Sequence, residues 1–464
     1  EYEGEDWIFC KGGAGGFRTL VNWKVSDGKI IAIEDGDFEQ ASNANRLMAS
    51  KAMRVIALCA RKVEPEDDIT DMESMENNLI FLGMVGIMDP PRSEVYDAIL
   101  RCQKAGIDVK MITGDQQMTA QAIGEDLNIT KPHIDSVGGD RLEELNDEAM
   151  RDIVSGTAIF SRVTPEQKMR IVTALQDEGE VVAMTGDGVN DAPALSRANI
   201  GISMGIAGTD VAKDASDMVL QDDNFANIVN AVEEGRKIYT NIRNFVRYQV
   251  STNVAAVALL LLARVVFGWP LPLTATQILV INILMDGPPA VALGVERMHA
   301  NVMNRPPRPV DESLPNLLDL LLIFYLGAVM VAGTLIVYFL ALQNGTEAYA
   351  QTMCFSVFIV FQLFNVMNCR SNEHSVFKLG LFSNRAIYLA IFFSVALLLL
   401  VVQGADIVIP LTSFEIGELL STIPLERDDW IVIVLVASTV FMVEEFRKLL
   451  RSTGIFRVRT NKRV

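Results

Sequence analysis

The sequence is poor in the residues that build disulfide-bonded and zinc-binding proteins. Its 464 residues include five cysteines and three histidines. The cysteines are far apart along the chain and form no Cys-x-x-Cys pair. The sequence therefore does not favour a disulfide framework or a structural zinc site as the basis of the fold. The first residues also lack the basic and apolar segments of a signal peptide, and the chain does not begin with methionine, so we expect it to begin inside a domain.

Basic residues are scarce in the first half of the chain. Residues 1–240 contain 43 Asp or Glu and 23 Lys or Arg, residues 241–464 contain 15 and 17, and the net charge is −18. This acidic balance excludes a nucleic-acid partner held by a basic patch. Half of the residues are hydrophobic, which excludes intrinsic disorder. The chain is therefore expected to join an acidic, water-facing half to an apolar half.

The apolar half contains segments long enough to span a bilayer, which makes the lipid bilayer an expected partner. The loops at residues 297–308 and 370–385 and the end of the chain are rich in Arg and Lys, and the intervening loops are nearly free of them. The positive-inside rule then predicts a multi-pass membrane protein whose soluble half and C-terminus are both cytoplasmic. The six predicted spans are residues 243–266, 275–293, 318–342, 351–369, 385–403 and 429–446.

Short apolar strands alternate with amphipathic helices from Leu79 to about Asp223. This alternation predicts a parallel sheet with helices on both faces. Trp7–Cys10 is predicted to be a further strand that leads into a glycine-rich loop from Lys11 to Gly16. In parallel sheets the chemistry lies at the carboxyl ends of the strands, where several Asp-bearing turns of this chain are expected.

The segment from Thr185 to Asp191, Thr-Gly-Asp-Gly-Val-Asn-Asp, is the strongest chemical signal. It follows a predicted strand and precedes a predicted helix. Clustered carboxylates beside glycine turns suit a hard cation such as Mg²⁺ held next to a phosphate. A turn that only caps a helix is the alternative, since Asn and Asp favour both positions.

Two further signals are weaker when each is taken alone. A Thr hydroxyl and a Gly amide in Thr113-Gly114-Asp115 stand at a helix start, where phosphoryl oxygens bind. Lys168 begins a predicted helix, and its ammonium would offset negative charge on a transferring phosphoryl group. Taken alone, the Thr113-Gly114-Asp115 turn is more often a capped helix start. Lys168 taken alone is more often a solvated surface lysine.

Four stretches together resemble the C-terminal half of P-type cation-transporting ATPases of the calcium-pump type. They are Met88–Arg92, Ile112–Asp115, Thr185–Leu195 and Asp217–Asn253. The resemblance implies a haloacid-dehalogenase-like α/β phosphorylation domain with a Rossmann-type parallel sheet, a partial α+β nucleotide-binding domain and an all-α bundle of six transmembrane helices. The implied domains are residues 1–82 for nucleotide binding, 83–237 for phosphorylation and 238–464 for the membrane.

The resemblance also implies roles for particular residues. Asp187 is expected to bind Mg²⁺ beside an aspartyl phosphate, and Asn190 and Asp191 to support that site. Thr113 and Gly114 are expected to contact the phosphoryl group, and Lys168 to balance its charge. ATP is the implied substrate, and the residues expected near the nucleotide and the adjoining hinge are Lys11, Arg54, Asp89, Arg92, Asp115 and Arg162.

The family's nucleophile, the Asp of Asp-Lys-Thr-Gly-Thr, does not occur in this sequence. In the family it lies upstream of the region matched here, with the first four membrane helices. We therefore expect this chain to be a C-terminal fragment or one half of a split pump. Its expected partner is the N-terminal half, and alone it would not form the phosphoenzyme.

The second predicted span contains Asn282, Asp286 and the helix-breaking sequence Gly287-Pro288-Pro289. A carboxylate within a membrane is costly and usually functional. Asn282 and Asp286 are four residues apart and so share a helix face. Their oxygen ligands suit Ca²⁺ or Mn²⁺, although a buried structural Asp at a kink is the alternative.

The ligand set most resembles single-site calcium/manganese pumps of the secretory-pathway type. Two-site pumps carry oxygen ligands where this chain has Ala256 and Met285, and a Glu where it has Gln362. Asn253 and Gln362 would support the ion indirectly or would hydrogen-bond neighbouring helices. The open alternatives are a P-type pump for H⁺, Na⁺/K⁺ or lipid, and a truncated membrane partner without catalysis.

Overall fold

The computed structural model describes residues 5–453 except 14, 52, 66, 69–70, 72–74, 89–90, 131–135, 298–301, 311 and 409–414. The chain divides into two compact units. The first comprises residues 1–231 and 303–310, and the second comprises residues 232–302 and 311–464. Asp89, expected at the hinge, lies outside the described residues.

A five-stranded mixed sheet forms the first part of unit 1. Its strand order is β1-β4-β5-β2-β3, with β2 and β5 parallel and the other pairs antiparallel. The expected division between residues 82 and 83 falls inside β5, which pairs with β4 along almost its whole length. The strands are β1 (Trp7–Gly13), β2 (Val21–Ser26), β3 (Lys29–Ala32), β4 (Arg54–Lys62) and β5 (Leu79–Ile87).

The predicted loop from Lys11 to Gly16 is partly wrong, because Lys11 belongs to β1. Lys11 pairs with Leu58, and the pairing continues to Gly13 opposite Ile56. Glycine is depleted in strands, but here Gly12 and Gly13 pair with Ala57 and Ile56 of β4, so the strand pairing overrides the local preference. Lys11 is therefore fixed by a strand ladder.

The rest of unit 1 is α/β with parallel strands, as predicted, and within the described residues these strands form two small sheets. There are two three-stranded parallel sheets, ordered β6-β8-β7 and β11-β10-β9. β6 and β9 are each an edge strand, so neither sheet continues into the other. The strands are β6 (Met111–Ile112), β7 (Val137–Gly138), β8 (Ile159–Ser161), β9 (Ala183–Gly186), β10 (Ile200–Met204) and β11 (Met218–Leu220).

Amphipathic helices cover these sheets and bury their apolar faces. One helix contributes Ile171, Val172 and Leu175 to two hydrophobic clusters. Ile112 of β6 and Val182 beside β9 pack against both clusters. The helices of this unit are α1 (Asp35–Ala49), α2 (Ser93–Lys104), α3 (Gln117–Asp126), α4 (Gly139–Glu143), α5 (Asp147–Gly156), α6 (Pro165–Asp177), α7 (Ala192–Arg197) and α8 (Asp210–Asp214).

Unit 2 is helical. The first predicted span, residues 243–266, lies in the second half of α9 (Ala226–Leu261) and in the π-helical turn at Leu262–Val266 that follows it. The second predicted span is interrupted by another π-helical turn at Ile281–Met285 and resumes with prolines in its first turn. The remaining helices are α10 (Ala275–Val280), α11 (Gly287–Gly294), α12 (Leu317–Asn344), α13 (Glu347–Cys369), α14 (Val376–Leu379), α15 (Arg385–Gln403), α16 (Ile416–Leu420) and α17 (Arg427–Ser452).

Within the described residues, five helical segments are long and apolar enough to cross a membrane. They match five of the six predicted spans: Ala226–Val266, Ala275–Gly294, Leu317–Asn344, Glu347–Cys369 and Arg385–Gln403. α17 is helical but is not one of the five. Its uncharged run lies between Asp429 and Glu444, shorter than the roughly 20 residues of a typical span. A sixth span in α17 therefore stays a prediction.

Candidate functional site

The turn after β6 is held by hydrogen bonds to the strand beside it. The Thr113 amide donates to the Phe160 carbonyl at 2.9 Å, and the Val163 amide donates to the Thr113 carbonyl at 3.1 Å. The Asp115 amide donates to Thr113 Oγ1, whose hydroxyl in turn lies 3.1 Å from Asp115 Oδ2. The Thr113 hydroxyl and the Gly114 amide are thus presented at the carboxyl end of the strand.

The turn after β9 is organised by Asp191. One oxygen of its carboxylate accepts hydrogen bonds from the amides of Asp187 and Gly188 at 3.3 and 3.1 Å. The other oxygen lies 2.6 Å from the Lys168 ammonium, and both side chains are largely buried. Gly186 is required here, because a Cβ at this position would lie 2.4 Å from Asp191 Cβ. Asp191 therefore fixes the loop that carries Asp187 and also holds Lys168.

Asp187 and Asn190 themselves are exposed at the end of β9. Among the described residues, no group of three or more His, Cys, Asp or Glu side chains is arranged to hold a metal. Mg²⁺ commonly takes one or two protein carboxylates and completes its shell with water and phosphate oxygens. The exposed Asp187 carboxylate fits that role as one ligand, while Asp191 is already engaged.

Four residues expected near the nucleotide or the phosphoryl group line one pocket of about 350 Å³ in unit 1. They are Lys11 on β1, Arg54 at the start of β4, and Gly114 and Asp115 of the turn. Two cations at the mouth of a cleft suit a phosphate-bearing ligand. Gln116 and Thr119 also line this pocket, and their sequence positions beside Asp115 were the only signal that pointed to them.

Arg162 does not line this pocket. Its backbone has a positive φ of 51°, and its amide donates to the Asp115 carbonyl at 3.1 Å. Among the described residues, Arg162 therefore contacts the turn at Asp115 through its backbone amide. Arg92 contacts a different part of unit 1, since its guanidinium donates to the Asp223 carbonyl.

Asp286 is fully buried at the interruption between α10 and α11. Its Oδ1 accepts a hydrogen bond from the hydroxyl of Tyr248 on α9 at 3.1 Å, and its Oδ2 has no partner among the described residues. A buried carboxylate oxygen without a donor is costly unless a cation or another donor binds it. The chemistry of this oxygen fits a hard divalent cation.

The other expected ion-site residues differ in exposure. Asn282 and Asn253 are exposed within the described chain, whereas Gln362 on α13 is buried. The π-helical turn puts Asn282 inside a widened turn just before Asp286. Neither the amide nitrogen nor the amide oxygen of Gln362 has a hydrogen-bond partner in the described part of the chain.

A buried ion pair was not predicted. Arg370, after α13, donates from Nε and Nη2 to the two oxygens of Glu296 at 2.9 Å each, and both side chains are fully buried. Asn384 donates to the same carboxylate at 2.9 Å. The pair is 74 residues apart in sequence, and its only sequence signal was a charged residue at the edge of each apolar segment.

Comparisons with known proteins agree with these two units. Residues 28–199 match the haloacid dehalogenase-like hydrolase model, and residues 270–450 match the model of the cation transporting ATPase C-terminus. The chain is 43% identical to calcium-transporting ATPase 1 of Schizosaccharomyces pombe over 83% of this chain and 43% of that protein. It is 42% identical to a calcium-transporting ATPase of Bacillus subtilis, over 84% and 43%.

A human relative, calcium-transporting ATPase type 2C member 1, is 40% identical over 92% of this chain and 46% of its own length. The chain thus spans less than half the length of the curated relatives that it matches.

Proposed function

We propose, from the premise that this chain belongs to the cation-transporting ATPase family, that it is the C-terminal part of an ATP-driven calcium pump. The pump would work through an aspartyl phosphate, with Mg²⁺ as cofactor. The observation that carries the proposal is the pair of turns after β6 and β9, which present Thr113, Gly114 and Asp187 at the carboxyl ends of parallel strands. Lys168 is held beside the second turn by Asp191.

β6 and β9 are edge strands of the two small sheets. Their unpaired edges support the proposal that the N-terminal half of the pump contributes one strand. Ile112 of β6 and Val182 beside β9 pack against the same two hydrophobic clusters. A single parallel strand between β6 and β9 would join the two small sheets into one and satisfy both backbone edges. That strand would end where Thr113 and Asp187 lie, so a nucleophilic Asp at its carboxyl end would meet both.

In this arrangement each residue has one task. The Thr113 hydroxyl and the Gly114 amide donate to phosphoryl oxygens, and Lys168 offsets their developing charge. Asp187 holds Mg²⁺, which when bound neutralises phosphate charge. Lys11 and Arg54 contact the phosphates of ATP in the pocket beside Asp115. Asn190 supports the loop that carries Asp187.

Asp286 is the proposed ligand of the transported ion, together with Asn282. The buried Oδ2 without a partner supports this role. Ala256 and Met285 offer no side-chain oxygen for a second ion, so one Ca²⁺ per cycle is proposed, with Mn²⁺ as an alternative cargo. Asn253 and Gln362 would act at most indirectly. The proposed orientation has unit 1 and the C-terminus in the cytoplasm.

Equilibrium ⁴⁵Ca binding and vesicle uptake by the full-length protein test the transport part of this proposal. Wild type should saturate near one ion per molecule, and Asp286→Asn should lose both binding and uptake. Gln362→Ala should retain binding, because its amide is not a direct ligand. Saturation near two ions, or full binding by Asp286→Asn, would refute the single-site proposal, and competition by Mn²⁺ in the same assay tests the cargo.

A further inference from the structure

A cavity of about 810 Å³ lies in unit 2, between the segment that follows α13 and the last turns of α17. None of its lining residues belongs to the phosphoryl, nucleotide or ion sites described above. We propose that this cavity binds one anionic phospholipid, whose acyl chains lie on the aromatic wall and whose phosphate lies between Lys378 and Arg451. The inference rests on the proposed membrane location of α17, but not on the pump's catalytic chemistry.

The wall of the cavity is apolar and exposed. Phe377, Phe446 and Leu449 are 64%, 61% and 59% exposed. Large apolar side chains next to charged ones at the end of a helix are typical of a membrane interface, where they meet acyl chains. These three residues therefore provide a surface for the hydrocarbon part of a lipid.

The cavity contains more cationic than anionic groups. Lys378, Lys448 and Arg451 face two carboxylates, Glu373 and Glu445. Lys378 is exposed, and no carboxylate of the described residues lies within ion-pair distance of it. Arg451 lies 3.7 Å from Glu373, with both side chains more than a third exposed. A guanidinium has five donors, so Arg451 can keep this contact and also donate to a phosphate.

Within the cavity, the charge of Glu445 is balanced by Lys448 and its carboxylate is held by hydrogen-bond donors. Its carboxylate accepts from the Ser375 hydroxyl and from the Val376 amide, and it lies 3.3 Å from the Lys448 ammonium. Lys448 is buried and also donates to the Asn368 carbonyl at 3.1 Å. Lys448 therefore balances the charge of Glu445, and Arg451 that of Glu373, which leaves Lys378 as the excess charge.

The sequence around the cavity favours a ligand with negative charge. The twelve residues that follow α17 in the sequence contain four basic residues and no acidic one. This basic tail would be repelled by Lys378 and so is not the occupant we propose. Clusters of Lys and Arg next to a membrane helix attract anionic lipids of the cytoplasmic leaflet. An anionic phospholipid matches both the cations and the exposed aromatic wall.

Native mass spectrometry of the detergent-purified full-length pump tests this proposal. Phosphatidylserine and phosphatidylcholine with identical acyl chains are titrated into wild type, Lys378→Gln/Arg451→Gln and Arg385→Gln. The control residue Arg385 is an exposed cation at the start of α15 that does not line the cavity. Thermal melting of each variant checks that it is folded, and Lys378→Arg/Arg451→Lys keeps both charges.

Wild type should retain one phosphatidylserine in preference to phosphatidylcholine. Each interfacial cation contributes about fivefold to anionic-lipid affinity, so the double Gln variant should bind about 25-fold more weakly. Arg385→Gln and the charge-keeping double variant should bind as wild type does. Equal retention of the two lipids, or undiminished binding by a folded double Gln variant, would overturn the proposal. So would soluble glycerophosphoserine binding as tightly as the lipid, since the site would then be a simple phosphate site.

Discussion

The Tyr248 hydroxyl donates a hydrogen bond to Asp286 Oδ1 across 3.1 Å, and both side chains are fully buried. The bond links α9 to the interruption between α10 and α11. It occupies one oxygen of the carboxylate and leaves Oδ2 without a partner among the described residues. Tyr248 therefore orients the side chain that we propose as the ion ligand.

Replacement of this hydroxyl should weaken ion binding without disturbing the packing. Tyr248→Phe removes a hydrogen bond to a charged group, which is worth about 1.5–3 kcal/mol. If Asp286 binds the ion as proposed, the Ca²⁺ affinity of the full-length protein should fall at least about tenfold, as measured by ⁴⁵Ca binding. Tyr338→Phe is the matched control, because Tyr338 is also buried and donates to a carbonyl, that of Pro270, at 3.1 Å. An equal loss of affinity in both variants would contradict a specific role for Tyr248.

The ion pair between Lys168 and Asp191 should matter for both stability and phosphorylation. Asp191→Ala leaves the largely buried Lys168 unpaired and removes the acceptor of two loop amides. Breaking such a pair costs about 3–5 kcal/mol, so the melting temperature and the phosphoenzyme level should both fall. The exposed pair between Arg18 and Asp35 provides a control, and Asp35→Ala should change neither quantity. A stable, fully phosphorylated Asp191→Ala variant would argue against this role.

Protonation of the Asp223 carboxylate should destabilise unit 1 at acid pH. The amides of Ile206 and Ala207 donate to its carboxylate at 2.9 and 2.8 Å. These hydrogen bonds, led by the one from Ile206, hold the pKa of Asp223 below its usual value. A lowered pKa stabilises the fold above the unfolded-state value of about 3.9, and that contribution is lost as the pH falls through the folded-state pKa.

We expect the free energy of unfolding of wild type to exceed that of Asp223→Asn. This difference should be constant near neutral pH and should decrease below about pH 4. Chemical denaturation at a series of pH values measures it. Asp177→Asn, at the exposed end of α6, should unfold with the same free energy as wild type. If the difference between wild type and Asp223→Asn does not change with pH, the charge of the Asp223 carboxylate does not contribute to stability.

The buried pair of Arg370 and Glu296 should be intolerant of single changes. Glu296→Gln leaves the Arg370 guanidinium buried without its counter-charge, at a cost of about 3–5 kcal/mol. We expect a lower melting temperature of the purified full-length protein. Glu296→Leu combined with Arg370→Met should recover most of that loss, because no unpaired charge remains. A double variant that melts no higher than Glu296→Gln would show that packing, not charge pairing, explains the sensitivity.

Local sequence patterns predicted the parts of the site that lie at strand ends. Thr113 and Asp187 were found because each follows a short apolar strand and precedes a helix. Lys168 and Asp191 were also singled out, but their ion pair depends on how α6 packs beside β9. No local pattern specifies that contact.

Other features depend on contacts between distant segments and were missed. Tyr248 meets Asp286 across 38 residues of sequence, and Arg370 meets Glu296 across 74. The split into two small sheets was also unforeseen, because alternation of strands and helices predicts strand direction but not which neighbours pair. The extension of β1 to Gly13 was hidden by its glycines, which are usually read as loop residues.

The central claim is that Asp187 serves a phosphorylation site completed by an Asp from the N-terminal half. In the most direct measurement, the full-length protein is incubated with γ-labelled ATP, Mg²⁺ and Ca²⁺. The residue that carries the acid-stable label is then identified by peptide sequencing. We predict Ca²⁺-dependent label on an Asp outside residues 1–464, nearly absent in Asp187→Asn and retained in Asp177→Asn. Label on any residue of this chain, or wild-type label in Asp187→Asn, would contradict the account.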